Sequence, residues 1–253
     1  MPPWVVRFEL RTAILIAACV IASCDVFPVV AQAVDRAPAA STEQAATEAA
    51  TTNSVDPKAE GEERRKYRFE KKGAIVFRKL PDCEVKCDVY QPQSDVPLPA
   101  IVMIHGGAWR QGSKLAMMRH ARRVARVGYV VVSINYRLAP KYPWPAQIDD
   151  CQYAVRWLKK NAEAYNIDAT RIGVFGYSAG GHLAALLGTM GGEEDAVFEE
   201  SLLVEDEALK EFSPAVRAVA VGGAPCEFSW LDEESVVLKY WMGGSRKSLP
   251  EKY

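Results

Sequence analysis

Residues 67 to 253 predict an α/β fold, an open and mostly parallel sheet with helices on both faces. Three observations carry that expectation. Four apolar, β-branched runs, AIVMIH (100–105), YVVVSIN (129–135), RIGVFG (171–176) and VRAVAVGG (216–223), read as buried parallel strands. Helical stretches near 114–127, 146–165 and 178–189 lie among them. The strands recur at about 30 and then about 42 residues, the length that a right-handed crossover between parallel strands takes up.

Taken in order, the chain begins with residues 1–33, which read as a signal peptide. Arg7 and Arg11 precede the apolar segment TAILIAACVIA (12–22), which is too short to span a bilayer, and Ala31-Gln32-Ala33 offers small residues at a cleavage position. A competing reading is a lipobox at Ile21-Ala22-Ser23-Cys24, with Cys24 acylated. Either way the chain is expected to be exported, periplasmic or secreted, and lipid-anchored if the second reading holds. Residues 34–66 form a low-complexity linker whose Ala/Thr/Glu-rich portion cannot bury enough surface to offset chain entropy. The folded part, 67–253, opens with AIVFRKL (74–80) and CEVKCDVY (83–90), a strand pair joined near Pro81.

Composition narrows the function. The 253 residues are 49% apolar and 25% charged, as in ordinary globular proteins, with 31 basic against 32 acidic side chains and a formal charge of −1. No basic stripe interleaves with aromatics, so a nucleic-acid partner is not expected; a neutral small substrate fits better. Cys83, Cys87, Cys151 and Cys226 remain outside the signal segment, and their spacing matches no metal site; no cofactor motif is present either. They read as small buried hydrophobes, with pairing in an oxidising compartment left open.

The chemistry concentrates in GVFGYSAGGHLAALL (173–187). A strand ending and a helix beginning within two residues force a strained turn, which lifts Ser178 above the carboxyl edge of the sheet with the helix N-terminus beneath it. Ser178 is the candidate nucleophile. His105-Gly106-Gly107-Ala108-Trp109 follows the strand AIVMIH, and its glycines allow close approach of the main chain. The N–H groups of Gly106, Gly107 and Ala179 are therefore candidate oxyanion donors.

These segments, with INYRLAP (134–140) and PWPAQIDD (143–150), resemble the α/β-hydrolase superfamily, in its hormone-sensitive-lipase-like and bacterial feruloyl or acetyl-xylan esterase-like branch. The resemblance runs from about residue 72 to 245 and implies a serine carboxylesterase or lipase that works through an acyl-enzyme. It also implies structural roles for Tyr136, Arg137, Asp149 and Asp150, tying loops near the nucleophile.

In that family an acid and then a histidine follow the serine in the chain. Here the three histidines are His105, His120 and His182, none beyond 182. His105 is expected to fix its loop, His182 to pack one helical turn past Ser178, and His120 to lie on a surface-directed helix. The acids after Ser178 (Glu193, Glu194, Asp195, Glu199, Glu200, Glu205, Asp206, Glu207, Asp232, Glu233, Glu234) fall in polar runs that read as solvated, with 193–211 a solvated insertion. The family's acid and histidine are accordingly expected beyond residue 253, the hydrolase domain to be partial, and turnover by these residues to be weak. Two alternatives remain: a non-catalytic binding domain, and a serine peptidase of the same fold. Trp109, Trp144, Trp230 and Trp241 suit either a pocket or the core.

Overall fold

The computed structural model describes residues 30–33, 66–190, 207–229 and 231–250. The linker and nearly all of the signal segment lie outside them, as do Trp230 and the acids from 193 to 206. Residues 30–33 alone of the N-terminal region appear, as a strand.

The elements are β1 (Val30–Ala33), β2 (Phe69–Leu80), β3 (Cys83–Pro92), β4 (Leu98–Ile104), α1 (Met118–Ala125), β5 (Val130–Ile134), α2 (Ala146–Lys160), β6 (Ile167–Tyr177), α3 (Ala179–Met190), β7 (Ala218–Gly222) and α4 (Val236–Met242). They build one seven-stranded sheet of order β1-β7-β6-β4-β5-β3-β2. β4 pairs in parallel with β5 and β6, and β6 with β7. β2 and β3 pair antiparallel, as do β3 with β5 and β1 with β7. The four expected parallel strands and the expected β2-β3 pair are all present, and the fold is α/β.

Strand alternation divides the core in two. Ala100, Val102 and Ile104 of β4, with Val130, Val132 and Ile134 of β5, face α2 and α3. Ile101, Met103 and Val131 face the opposite way, onto Met117, Ala121, Val124 and Ala125 of the α1 region. Strands with two apolar faces are what a sheet covered on both sides requires. On α2 the buried residues Ile148, Cys151, Val155 and Leu158 recur at three- and four-residue steps, the stripe of a helix lying on a sheet.

The expected helix over 146–165 stops at Lys160. Asn161 caps it, and a separate 3-10 turn, Glu163–Tyr165, follows before Asn166 turns left-handed at φ 52°. Asparagine tolerates that conformation. Similarly, 114–117 is a 3-10 turn leading into α1.

Among the described residues the four cysteines are unpaired: Cys87 and Cys151 are buried in the core, Cys83 is half-buried and Cys226 exposed. No described helix is long and apolar enough to cross a membrane, and no described group of three His, Cys, Asp or Glu side chains could hold a metal ion.

Leu158 is fully buried between α2 and the sheet. Leu158→Ala is expected to cost about 2–5 kcal/mol of unfolding free energy in urea titrations, through lost burial and the cavity left behind.

Candidate active site

The carboxyl ends of β4, β6 and β7 meet at one edge of the sheet. β6 ends at Tyr177 and α3 begins at Ala179, so the change of direction falls on Ser178 alone, at φ 54°. A non-glycine residue holds that conformation only where its surroundings determine it. Here the N–H of Ser178 donates to the carbonyl of Gly222 on β7 at 2.7 Å, and its own carbonyl accepts from the N–H of His182 at 3.0 Å. Ser178 thus caps α3, and the amide of Ala179 sits in the first turn, where N–H groups lack intrahelical acceptors.

Two glycines make the packing around this bend possible. A Cβ on Gly106 would lie 2.8 Å from the carbonyl oxygen of Tyr177 and 3.1 Å from Cβ of Ser178, so the main chain after β4 rests directly against the bend. A Cβ on Gly180 would collide with the backbone carbonyls of Ile104 and His105. Of the four residues that the sequence nominated, the structure sets Gly106 against Ser178, with Ala179 next along the chain, while Gly107 lies in the turn that follows, against Gln111.

The turn after β4 is itself unusual. Gly107, Ala108 and Trp109 take φ values of 124°, 50° and 57°. The N–H groups of Arg110 and Gln111 both donate to the carbonyl of Gly107, at 3.1 and 3.0 Å. His105 anchors the turn from behind. Its Nδ1–H donates to the carbonyl of Gly106 at 2.7 Å, and its ring stacks on Tyr136 at 4.3 Å. The Tyr136 hydroxyl donates to the carbonyl of His105 at 3.0 Å. Lys114 fixes the far end of the loop. Its N–H donates to Oδ1 of Asn135 at 2.7 Å, its carbonyl accepts from Oγ of Ser133 at 2.8 Å, and its ammonium pairs with buried Asp88 at 2.6 Å.

Behind the site lies a buried ionic cluster. Asp150 on α2 accepts from Arg78 Nη1 at 2.6 Å, from the Arg137 backbone N–H at 2.7 Å, and from Arg137 Nε at 3.0 Å. The Arg137 guanidinium also reaches the carbonyl of Ala146 at 3.2 Å. This joins the loop after β5 to α2 and to β2. Arg137 and Asp150 stood out in the sequence, but Arg78 did not. It is 72 residues away from its partner, and nothing local marks it as buried.

The three histidine rings are each held by other groups. His105 holds the turn as just described, with burial keeping its imidazole below its ordinary value. His120 packs near Phe175 on the α1 side of the sheet. His182 is enclosed edge-on by Trp109, Phe228 and Trp241 at 5.2–5.5 Å, and burial pushes its pKa down to about 4. Among the described residues no hydrogen bond joins a histidine ring to Ser178. The described acids from the polar runs are surface groups: Glu207 pairs with Lys210, Asp232 accepts the N–H of Glu234 at 2.7 Å, and Glu234 pairs with Lys239.

The tryptophans divide between the two roles. Trp109 and Trp241 are buried and stacked at 3.9 Å, whereas Trp144 is half-buried and edge-on to Trp241 at 5.5 Å. Trp144, Trp241, Phe228, Leu238 and His182 line a cleft of about 490 Å³. A second cleft of about 640 Å³ opens beside Gly112 and the loop Asn135–Tyr142.

His182 gives the site a pH signature. Its folded pKa lies below the ordinary 6.5, so between pH 6.5 and about 4 the unfolded chain binds a proton that the folded chain refuses. Stability should therefore fall on acidification through that window, by about 2 kcal/mol between neutrality and about pH 5. In denaturant titrations at the two pH values, the His182→Phe variant should show a smaller drop than the parent; an equal drop would remove His182 as its source.

Comparison with known proteins places these features in a family. A profile of the BD-FAE family matches residues 87–252. The chain is 43% identical over 94 residues to esterase LipC of Mycobacterium tuberculosis, a match covering 36% of this chain and 23% of that protein. It is 37% identical over 108 residues to an arylesterase of Saccharolobus solfataricus, covering 42% of this chain and 35% of that one. A solved structure, the bifunctional GH43-CE protein of Bacteroides eggerthii, superposes with a TM-score of 0.60 at 28% identity, over 70% of this chain and 24% of that one. The chain thus spans 23% to 35% of the length of the two curated relatives. Both the bend at Ser178 and the turn at Gly106 and Gly107 fall inside the profile match, which takes in about two thirds of the 253 residues, and on that ground the chain belongs to the BD-FAE family.

Proposed function

We propose that the protein is a carboxylic ester hydrolase in which Ser178 is the nucleophile. The observation that carries this reading is the left-handed Ser178 between β6 and α3, with the Gly106 main chain packed against its Cβ. The Ser178 oxygen attacks the ester carbonyl and gives up its proton. The negative charge that develops on the carbonyl oxygen is met by the N–H groups of Gly106, Gly107 and Ala179, each donor of this kind contributing about 3 kcal/mol. Collapse of the tetrahedral adduct expels the alcohol with a proton, and water then releases the acid from the acyl-enzyme. Substrates are esters of small lipids or of acylated carbohydrates. The esterase and arylesterase names of the relatives support the class, and no step calls on a metal or cofactor.

The proton is the weak point of this reaction. An imidazole within hydrogen-bonding reach would normally take it, and among the described residues no histidine ring is hydrogen-bonded to Ser178. A second reading is a domain that holds an ester in its cleft without turning it over, supported by the cleft of about 490 Å³ beside His182. The attack machinery and the missing base make separable predictions. Prolonged incubation with p-nitrophenyl acetate should leave an acetyl group on the peptide containing Ser178, read by mass spectrometry, and none in Ser178→Ala. Steady hydrolysis by the two proteins should be equal. An adduct elsewhere would overturn the nucleophile; robust hydrolysis lost in Ser178→Ala would overturn the missing base.

Export is part of the proposal, supported by Arg7, Arg11 and the apolar run that follows them. The intact mass of protein recovered from a bacterial host should correspond to a chain starting after Ala33, or to a lipidated one starting at Cys24. A full-length mass alone would count against both.

A further inference from the structure

Between Asp95 and Asp149 the sequence contains no aspartate or glutamate, yet eight lysines and arginines fall there. Four are engaged. Lys114 pairs with Asp88 at 2.6 Å, Arg137 with Asp150 at 3.0 Å and Lys141 with Asp82 at 3.3 Å, while Arg110 lies over the ring of Tyr240 at 5.0 Å. The other four are Arg119, Arg122, Arg123 and Arg126, all exposed on α1 or at its C-cap, with Arg126 also lying over the ring of Phe69 at 6.0 Å. Among the described residues none of them has a carboxylate partner.

The inner face of this helix is spent on the core: Met117, Ala121, Val124 and Ala125 are buried against the sheet. The outer face carries Leu115, Met118, Arg119, Arg122 and Arg126, a stripe at steps of three and four residues. Leu115 is 56% exposed and Met118 40% exposed, among the most exposed large apolar side chains described. The patch continues across a strand start, since the N–H of Tyr67 donates to the carbonyl of Arg126 at 2.8 Å and brings the exposed Lys66 and Arg68 alongside. A chain with a formal charge of −1 thus concentrates on one side cations that have no carboxylate partner among the described residues.

We propose that this face docks the protein on an anionic lipid surface. Guanidinium groups match phosphate oxygens with paired N–H donors, and each basic side chain near such a surface adds attraction. The two exposed apolar side chains select the partner. Nucleic acid or an acidic polysaccharide would satisfy the arginines but leave Leu115 and Met118 in water, whereas a headgroup layer takes the cations and lets the apolar tips enter the acyl boundary. The inference is independent of the chemistry at Ser178.

The test is co-sedimentation of the full chain with vesicles of phosphatidylcholine alone or containing phosphatidylglycerol. Binding is expected only to the anionic vesicles and is lost in about 1 M salt, where the screening length falls to about 3 Å. The variant R119E/R122E/R123E should bind at least about tenfold more weakly. Leu115→Ser with Met118→Ser should weaken binding at unchanged charge. These side chains are exposed, so circular dichroism should report an unaltered fold. Since every variant shares the parent's N-terminus, vesicle binding that survives the triple charge reversal overturns the proposal. So does retention on heparin or DNA without retention on anionic vesicles.

Discussion

Ser178 occupies a backbone conformation that costs a non-glycine residue on the order of 1–3 kcal/mol, and much of the surrounding architecture holds it there. The restraint comes from three strands. β7 accepts the Ser178 N–H through Gly222, β6 delivers the chain, and the main chain leaving β4 fills the space beside Cβ. Removing any one would let the bend relax into an ordinary helix start. Ser178 would then lose its close packing against the main chain of Gly106. Strain at this one residue is therefore sustained by the parallel register of β4, β6 and β7, not by the five residues around it.

A second layer of constraint is ionic. Asp150 binds two buried arginines, Arg78 and Arg137, and Asp88 binds two lysines, Lys71 at 2.8 Å and Lys114 at 2.6 Å. Burial raises the Asp88 carboxyl, but its bonds to Lys114 and Lys71 outweigh that and hold it below its ordinary value. A buried pair of this kind adds little net stability, yet losing one partner strands the other charge in the interior. The result is geometric: the loop from His105 to Lys114 is clamped at one end by Tyr136 and at the other by Asp88, Ser133 and Asn135. A turn built from three consecutive positive φ values needs such clamps.

The aromatic cluster shows how a histidine close in sequence to a nucleophile can be excluded from its chemistry. His182 follows Ser178 by one helical turn, but residues four apart project along the same helix face. The face at 182 looks into Trp109, Phe228 and Trp241. Enclosure there keeps the imidazole neutral and spends it on packing.

Much of this was legible from the order of residues. Strand period and crossover spacing revealed the sheet, and glycines around Ser178 revealed the bend, because those signals are local: a two-residue alternation or a missing Cβ acts within a few positions of itself. The helix over 146–165 was read too long because left-handed Asn166 and the break after Lys160 are too slight to interrupt its apolar periodicity. Arg78 as the partner of Asp150, the stacking of Trp109 on Trp241 and the gathering of the four α1 arginines with Lys66 and Arg68 emerged only on folding. Such features depend on distances between elements far apart in the chain. The sequence by itself determined which residues could attack and stabilise charge; tertiary structure decided which side chains meet, since pairing across a sheet is set by strand register and no single segment contains it.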